Sequence, residues 1–248
     1  LLQMTNKYMY FIANWKMFGS LNSLNSLHKV VKFLKKFKKK NSLKIVYCPP
    51  SLLIRPMVKK LKNSAINVGG QNCHFSEFYG AFTGSINSNM LKNVGAKYVI
   101  LGHSENRQEG ETNKLINLKI KTALKSGLKV IFCIGETALE KRKKFTKKIL
   151  NHQIKQGLSK IKDKKKIIIA YEPVWSIGSG KIPKTDELYE TINHIKKIIP
   201  NIKVLYGGSV NSKNINQLKS ITNIDGYLIG GASQDSKKFV DIIKKTYN

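Results

Sequence analysis

The sequence predicts an α/β fold, a (β/α)8 barrel formed by a single domain. Short apolar runs alternate with longer, amphipathic, lysine-rich segments along the whole chain. Eight such strand-then-helix units fit within 248 residues, a usual length for a closed barrel. No linker or break in composition divides the chain. A doubly wound open sheet is the alternative, but it usually has fewer strands in this length.

The predicted strands are short runs of apolar residues bounded by polar ones. They cover residues 8–13, 43–47, 66–68, 98–101, 129–134, 167–171, 203–206 and 226–229. The third run is the weakest. The sixth contains no charged side chain, which is typical of a parallel strand that is buried on both faces.

Helical periodicity follows most of these runs. After the first, Leu24, Leu27, Val31 and Leu34 recur on one helical face with lysines opposite. Further helices are predicted over residues 54–62, 112–126 and 186–199. Helical segments are also predicted after the fifth strand, through Lys160. Residues 69–87 form a long loop. A final helix has Phe239, Ile242 and Ile243 on one side.

The formal net charge of +31 raises the possibility of a nucleic-acid-binding protein. Only Arg55, Arg107 and Arg142 are arginines, although forked hydrogen bonds to bases and phosphates favour arginine. The lysines are scattered over many segments rather than gathered in one recognition helix. We therefore interpret them as solvated surfaces and expect no specific nucleic-acid partner.

Other features of the composition indicate a cytoplasmic protein. No apolar run approaches the roughly 20 residues of a membrane span, so no membrane partner is expected. Residues 1–7 read as an N-terminal extension outside the barrel, which we expect to cover residues 8–248. Cys48, Cys73 and Cys133 are odd in number and lack metal-binding spacing, which favours free thiols in a reducing compartment.

Polar clusters follow six of the predicted strands. They are Asn14-Trp15-Lys16, Gly102-His103-Ser104-Glu105, Gly135-Glu136, Glu172, Gly207-Gly208-Ser209 and Gly230-Gly231-Ala232-Ser233. In a barrel these strand ends meet at one rim, where active sites are built. Each cluster is weak evidence alone, because a lone histidine is more often structural and a glycine pair is usually a turn. Six at successive strand ends favour a functional site.

The glycines after the seventh and eighth strands indicate the class of ligand. Glycine lets backbone N–H groups approach an anion closely, and these two loops are the usual phosphate site of such barrels. A small phosphate ester is therefore the expected substrate.

The segment from Tyr171 to Lys181 combines a carboxylate with a candidate lid. Glu172 ends the sixth strand, Pro173 stiffens one end of the segment, and Gly178 and Gly180 give backbone freedom at the other. A general base under a water-excluding lid would use such an arrangement. An ordinary strand-to-helix loop with a surface acid is the alternative interpretation.

These segments resemble the triosephosphate isomerase family in order and spacing, from residue 8 to the C-terminus. The segments that carry the resemblance are Asn14-Trp15-Lys16-Met17, Gly102-His103-Ser104-Glu105, Cys133-Ile134-Gly135-Glu136, Ala170 to Lys181, Tyr206 to Val210 and Gly230 to Ser233. The resemblance implies a TIM barrel that interconverts dihydroxyacetone phosphate and D-glyceraldehyde 3-phosphate in glycolysis and gluconeogenesis. It implies no metal and no organic cofactor.

The resemblance also implies the roles of the central groups. Glu172 is the expected base, moving a proton between adjacent carbons through an enediolate. Its place between Ile177 and Leu228 would desolvate the carboxylate and make it more basic. His103, neutral, is expected to donate a hydrogen bond to the enediolate oxygens.

The remaining catalytic roles are carried over in the same way. Lys16 is expected to supply positive charge to the substrate and Asn14 a further polar contact, so both bind substrate as well. Glu105 is expected to hold the polar network through Lys16. The expected phosphate ligands are the backbone N–H groups of Gly178, Ser209, Gly230 and Gly231. Glu136 is expected to touch Trp175 in one position of the lid.

The loop from Gly69 to Gly84 resembles the family's dimer loop, which implies a homodimer in which this loop reaches the partner subunit's Asn14 and Lys16. The other interpretation is a flexible surface loop.

The sequence departs from the family pattern at a few positions. The family commonly has arginine at Asn106, glutamate at Ser85, alanine at Ser176 and threonine at Ser179. Loss of the arginine would remove an ion pair with Glu111 and a little stability, while the serines would roughly keep the size and hinge character of the lid.

Two further functions compete with the isomerase at this stage. One is another phosphate-ester enzyme on the same barrel, which the combination of Glu172, His103 and Lys16 disfavours. The other is a basic binding protein that has kept the barrel and uses its charge.

Overall fold

Eight parallel strands close into a barrel in the computed structural model, which describes residues 8–248. Each strand pairs with the next along the chain and β8 pairs with β1, so the open-sheet alternative is wrong. The strands are β1 (Met9–Asn14), β2 (Leu43–Cys48), β3 (Asn67–Gly70), β4 (Tyr98–Leu101), β5 (Lys129–Ile134), β6 (Ile167–Tyr171), β7 (Lys203–Tyr206) and β8 (Gly226–Ile229). The expected extension at residues 1–7 lies outside the described residues.

Helices follow the strands on the outside of the barrel. They are α1 (Leu27–Lys36), α2 (Ser51–Lys60), α3 (Ser88–Asn93), α4 (Ser104–Gln108), α5 (Asn113–Lys125), α6 (Ala138–Arg142), α7 (Thr146–Gly157), α8 (Thr185–Ile198), α9 (Ile215–Lys219) and α10 (Ser236–Tyr247). Among the described residues, no helix is long and apolar enough to cross a membrane.

Strand residues alternate between two apolar cores. Side chains such as Ile12, Ile100 and Leu205 fill the barrel interior. Their neighbours, such as Phe11 and Val204, pack between the strands and the helices. Both faces of each strand are therefore covered, which explains why the strands read as continuous apolar runs.

The first helix differs in detail from its prediction. A 3-10 helix, Asn22–Ser26, precedes α1 and shifts the phase of the pattern. Leu27, Val30 and Leu34 are the buried residues of α1, whereas Val31 is only half-buried. Val31 still packs against the same core as Leu27 and Leu34, so the predicted apolar face is confirmed, with Val30 as its most deeply buried addition.

Three helices of five or six residues were not predicted: α3, α4 and α9. A single turn or two is too short to show apolar periodicity, so side-chain caps fix where two of them begin. The Asn87 side chain accepts a hydrogen bond from the N–H of Met90 at the start of α3, and His103 accepts one from the N–H of Glu105 at the start of α4. The second cap orients a residue that the sequence singles out.

Candidate active site

The carboxyl ends of five strands surround a cavity of about 220 Å³. Asn14 is the last residue of β1, Glu172 directly follows β6, and His103 lies in the turn between β4 and α4. Lys16, Gly178, Ser209, Gly230 and Gly231 complete the part of the lining that the sequence singles out. Glu105 lies outside this cavity and borders a second one beside it.

A carboxylate and an imidazole face each other inside the cavity. The Nε2 atom of His103 lies 3.5 Å from Oε1 of Glu172, and both side chains are buried. Within the described chain, neither oxygen of Glu172 has a hydrogen-bond partner. A buried carboxylate without partners is costly to desolvate, so an arrangement of this kind indicates a group that is meant to meet a ligand.

The tautomer of His103 follows from one hydrogen bond. The backbone N–H of Glu105 donates to Nδ1 at 3.2 Å, so Nδ1 is an acceptor. The carboxylate of Glu105 lies 3.6 Å from the same nitrogen, beyond hydrogen-bonding distance. The neutral ring therefore carries its proton on Nε2, the nitrogen that points at Glu172 and the cavity.

Lys16 is held in place from three directions. Its Nζ donates to Oε1 of Glu105 at 2.5 Å, and its backbone N–H donates to Oδ1 of Asn14 at 3.1 Å. Its backbone has a φ of 54°, a conformation that costs a non-glycine residue free energy. The amide of Gln71 stabilises this conformation by donating to the carbonyl oxygens of Lys16 and Cys48.

Close packing around Glu172 explains two of the glycines. A Cβ atom on Gly207 would lie 2.8 Å from Cγ of Glu172, and one on Gly135 would lie 1.8 Å from its backbone oxygen. Gln153 fixes the Gly135 peptide by donating to its carbonyl and accepting from its N–H, both at 2.9 Å. These two positions cannot carry a side chain without displacing the carboxylate.

The candidate lid is attached to the barrel at its base. The indole N–H of Trp175 donates to Oε1 of Glu136 at 3.0 Å, so the expected contact between these residues is present. The ammonium of Lys141 lies 3.8 Å from the centre of the Trp175 ring and also pairs with Glu187 of α8 at 2.7 Å. Near the other end of the lid, Gly178 and Gly180 have positive φ values of 69° and 75°, a conformation that favours glycine.

The buried hydroxyl of Ser176 links the lid to the loop after β7. It lies 2.8 Å from the hydroxyl of Tyr206 and accepts from the N–H of Ser209 at 3.3 Å. It also donates to the carbonyl of Lys181 at 2.6 Å. The Ser176 oxygen thus takes part in three hydrogen bonds, a role that an alanine at this position could not have.

Glu136 and Tyr171 form a buried polar pair beneath the lid. Tyr171 donates to both oxygens of Glu136, at 3.2 and 3.1 Å. Burial raises the pKa of the Glu136 carboxyl, an effect that the hydrogen bonds from Trp175 and Tyr171 oppose. Burial first, and then the charge of Glu136, raises the pKa of the Tyr171 phenol well above its ordinary value.

The second cavity, of about 390 Å³, adjoins the first through Asn14, Lys16 and His103. Residues of the loop from Gly69 to Gly84, including Gln71 and His74, form its other wall. Four aromatic side chains of this loop are exposed by 39 to 74%: Phe75, Phe78, Tyr79 and Phe82. His74, Phe75 and Phe82 stack on one another, so the loop has a defined shape.

The three cysteines are buried free thiols, as expected. Burial raises the pKa of Cys73 to about 12, and burial together with the nearby charge of Glu172 raises the pKa of Cys133 well above its ordinary value. Among the residues that the structure describes, no group of three His, Cys, Asp or Glu side chains could hold a metal ion.

Sequence reasoning missed several residues that position the site. Gln71 holds the Lys16 backbone, and Arg107 donates to the carbonyl oxygens of Gly102 and Cys133, joining the ends of β4 and β5 below His103. Arg107 is one of only three arginines, which was a usable signal. Gln71-Asn72 belongs to the loop that resembles the family's dimer loop, but the hydrogen bonds of Gln71 could not be predicted, because its partners are 55 and 23 residues away.

Comparison with known protein families gives one match over almost the whole chain. A family model described as triosephosphate isomerase matches residues 9–246. The chain is 39% identical over 247 residues to the triosephosphate isomerase of Carboxydothermus hydrogenoformans, covering 94% of this chain and 97% of that protein. It is 41% identical over 244 residues to the enzyme of Dictyoglomus thermophilum, with coverage of 94% and 97%.

A solved structure gives the same result for the fold. The chain superposes on the crystal structure of triosephosphate isomerase from Bartonella henselae with a TM-score of 0.87. The two sequences are 32% identical, and the match covers 97% of this chain and 99% of the other.

Proposed function

The chain belongs to the triosephosphate isomerase family and is an isomerase of triose phosphates, and on that premise we propose that Glu172, His103 and Lys16 carry the reaction. The substrates are dihydroxyacetone phosphate and D-glyceraldehyde 3-phosphate, and the pathways are glycolysis and gluconeogenesis. The observation that carries the assignment of roles is the approach of His103 Nε2 to within 3.5 Å of Glu172 in the glycine-lined cavity.

Glu172 acts as the base. One of its oxygens takes the proton from C1 of dihydroxyacetone phosphate while the C–H electron pair forms the C1–C2 double bond and negative charge develops on the C2 oxygen. The hydroxyl proton of O1 then passes to O2 through Nε2 of His103. The same carboxyl group returns its proton to C2, which gives the aldehyde at C1 and a hydroxyl group at C2. This role is supported by the burial of Glu172 and by its oxygens, neither of which accepts a short hydrogen bond from the described chain.

His103 stabilises the enediolate by donating from Nε2 to its oxygens. The tautomer set by the N–H of Glu105 supports this role, because it leaves the proton on the nitrogen that faces the substrate. A neutral donor is closer in acidity to the enediol than an imidazolium would be, which suits a proton that moves in both directions.

Lys16 and Asn14 supply charge and a polar contact to the substrate. Lys16 lies beside the glycines of the β8 loop, with its Cε 3.4 Å from the position of a Cβ on Gly230. It therefore compensates both the enediolate and the phosphate. Glu105 positions the ammonium through their 2.5 Å contact.

The phosphate binds to backbone N–H groups of Gly178, Ser209, Gly230 and Gly231. The cavity lining supports this, as all four residues border it and Gly231 has open space beside its Cα. Binding frees Ser176 from the N–H of Ser209, so the phosphate replaces the serine oxygen. The lid then closes over the enediolate and excludes water, as lids of this family do.

The chain works as a homodimer through the loop from Gly69 to Gly84. The four exposed aromatic side chains of this loop support an interface, because large apolar side chains grouped on one loop are costly to leave in water. The 390 Å³ cavity beside Lys16 is the matching recess for the partner subunit. We also propose that the enzyme acts in the cytoplasm.

Shortening the base by one methylene tests the proposal. Glu172→Asp withdraws the carboxylate from the substrate carbon, and we expect kcat to fall by about a hundredfold or more while KM changes less than fivefold. The measurement is a coupled isomerase assay with the purified protein. Glu190→Asp on the exposed face of α8 is the matched control and should leave kcat unchanged. A Glu172→Asp variant with kcat within threefold of the parent would exclude Glu172 as the base.

A further inference from the structure

Away from the rim, the first third of the chain carries positive charge without a single carboxylate side chain. Thirteen Lys and Arg residues lie between residues 8 and 76, and the first acidic residue along the chain is Glu77. This part of the chain forms β1, α1, β2, α2 and β3. These elements are consecutive around the barrel, so the unbalanced charge is concentrated on one sector of the molecule.

A groove of about 700 Å³ lies on this sector between α1 and α10. Half-buried Phe33, Phe37 and Val240 give it an apolar floor, in which the two phenylalanine rings stack with their centres 4.8 Å apart. Its cationic side chains stand on both walls: Lys29, Lys32 and Lys36 on α1, and Lys237 and Lys244 on α10.

The carboxylates of α10 do not balance these lysines. Asp235 accepts hydrogen bonds from the N–H groups of Lys237 and Lys238 as the cap of α10, and Asp241 pairs with Lys245 at 3.1 Å. None of the described residues that line the groove is acidic. The groove therefore offers apolar surface flanked by two rows of lysines, whose charge Asp235 and Asp241 offset only in part.

We propose that this groove binds an acidic amphipathic helix of another protein. Lysines at positions 29, 32 and 36 repeat at helical spacing along one wall, and those at 237 and 244 do so along the other. A ligand helix would place its apolar face on Phe33, Phe37 and Val240 and its carboxylates against both rows. The ten residues of α1 span about 15 Å, so three turns of a helix fill the length.

The shape and chemistry of the groove disfavour other polyanions. A flat bilayer surface cannot reach a floor that lies between two helices. The phenylalanine rings contact each other and Lys244, whose ammonium lies 5.9 Å from the Phe33 ring, so they do not offer free faces for stacking bases. The cations of the groove are all lysines, and the forked recognition of phosphates favours arginine.

The test is a titration of the full-length protein against a fluorescent 14-residue helical peptide with leucines at i, i+3, i+4 and i+7 and glutamates on both flanks. We expect saturable binding at 100 mM salt, about tenfold tighter than that of a peptide with the same composition in scrambled order. Vesicles containing phosphatidylserine and a single-stranded oligonucleotide serve as the competing probes.

Charge reversal locates the binding site. The triple variant K32E/K36E/K244E should weaken peptide binding about tenfold or more. The control K143E/K147E/K148E makes the same change in net charge on exposed lysines of the α6–α7 region and should weaken it less than twofold. None of these six residues lines the active-site cavity, so unchanged kcat and Tm show that both variants are folded.

Each alternative outcome overturns the proposal. Equal binding of the ordered and scrambled peptides would mean attraction to net charge alone, and equal weakening in the two triple variants would mean the same. Tighter binding of the vesicles or the oligonucleotide than of the ordered peptide would identify a different class of ligand. No binding of the ordered peptide would reject the groove as a docking site.

Discussion

Glu111 already has partners in the structure, although an arginine that the family commonly has nearby is replaced by Asn106. The Oε1 atom of Glu111 binds the ammonium of Lys119 and the amide of Asn72. Its Oε2 atom is buried and, within the described chain, has no partner. The expected loss of an ion pair is thus only partial. Lys119 pairs with Oε1 of Glu111, and Oε2 stays without a hydrogen-bond partner within the described chain.

Restoring the arginine should stabilise the protein. Asn106 is half-buried, borders the same cavity as Lys119, and its carbonyl accepts the N–H of Glu111. An Asn106→Arg guanidinium that reaches Oε2 should add about 1 kcal/mol, which corresponds to an increase in Tm of about 3 °C for a chain of this size. Thermal unfolding measures the gain, and kcat/KM should stay within twofold. Asn106→Gln is the uncharged control, and an equal Tm for both variants contradicts this account.

Glu136 should make stability depend on pH in a definite direction. Its pKa is raised in the folded state, so the folded protein binds a proton more readily than the unfolded chain does. The stability that this group contributes is complete below its ordinary value near 4.5 and is lost as pH rises through the raised folded pKa. At neutral pH the buried charge therefore destabilises the fold.

Glu136→Gln tests that sign. The amide still accepts from Trp175 and Tyr171 but carries no charge, so Tm should rise by about 3 °C at pH 7.5, equivalent to about 1 kcal/mol. At pH 4 the difference should shrink, because the parent carboxyl is then protonated. Glu190→Gln on the exposed face of α8 should show neither effect. A Tm gain that is independent of pH would contradict the assignment.

At the scale of elements, the lid is the part of the molecule whose behaviour depends most on a single side chain. Ser176→Ala removes the hydroxyl that binds Tyr206, Lys181 and the N–H of Ser209. The N–H of Ser209 is then free to bind the phosphate. KM for dihydroxyacetone phosphate should therefore fall by about two- to tenfold, which corresponds to the net free energy of about one hydrogen bond. Steady-state kinetics measure it, with Ser179→Ala as the neighbouring control. An unchanged or higher KM would show that the hydroxyl does not compete with substrate.

The sequence predicted the strands better than the short helices. The predicted bounds of β4, β5, β6, β7 and β8 agree with the structure, because buried parallel strands read as apolar runs between glycine-rich or polar turns. The third strand, Asn67–Gly70, extends two residues beyond its prediction into a glycine pair. Helices of one or two turns depend on capping residues such as Asn87. Its side chain accepts a hydrogen bond from the N–H of Met90, and this contact becomes apparent only in the structure.

The site was predictable where chemistry demands a residue type and unpredictable where packing decides. Motifs suggested Glu172, His103 and Lys16 as candidates for base, donor and cation, and all three line one cavity in the structure. Gln71 and Arg107 act through hydrogen bonds to carbonyl oxygens of distant strands. Such partners follow from the closure of the barrel, so local sequence does not reveal them.

At the scale of the whole molecule, the charge of +31 should accelerate capture of the doubly anionic substrate. Because salt screens this field, kcat/KM should decrease measurably between 10 and 300 mM ionic strength, by at most about tenfold, while kcat stays constant. The same assay with D-glyceraldehyde, which lacks the phosphate, should give a flat profile. A flat profile for the phosphorylated substrate would count against electrostatic steering.

In the homodimer that we propose, the hydrogen bonds of Gln71 would connect the active site to the subunit interface. Gln71 directly follows β3 and belongs to the loop from Gly69 to Gly84, which has exposed aromatic side chains. Its amide holds the strained backbone of Lys16. In a subunit separated from that homodimer, this loop would lose its packing against the partner. Lys16 would then lose its fixed position, while the rest of the barrel stayed intact. Dilution alone could thus switch the enzyme off reversibly, which would make subunit concentration a control of flux.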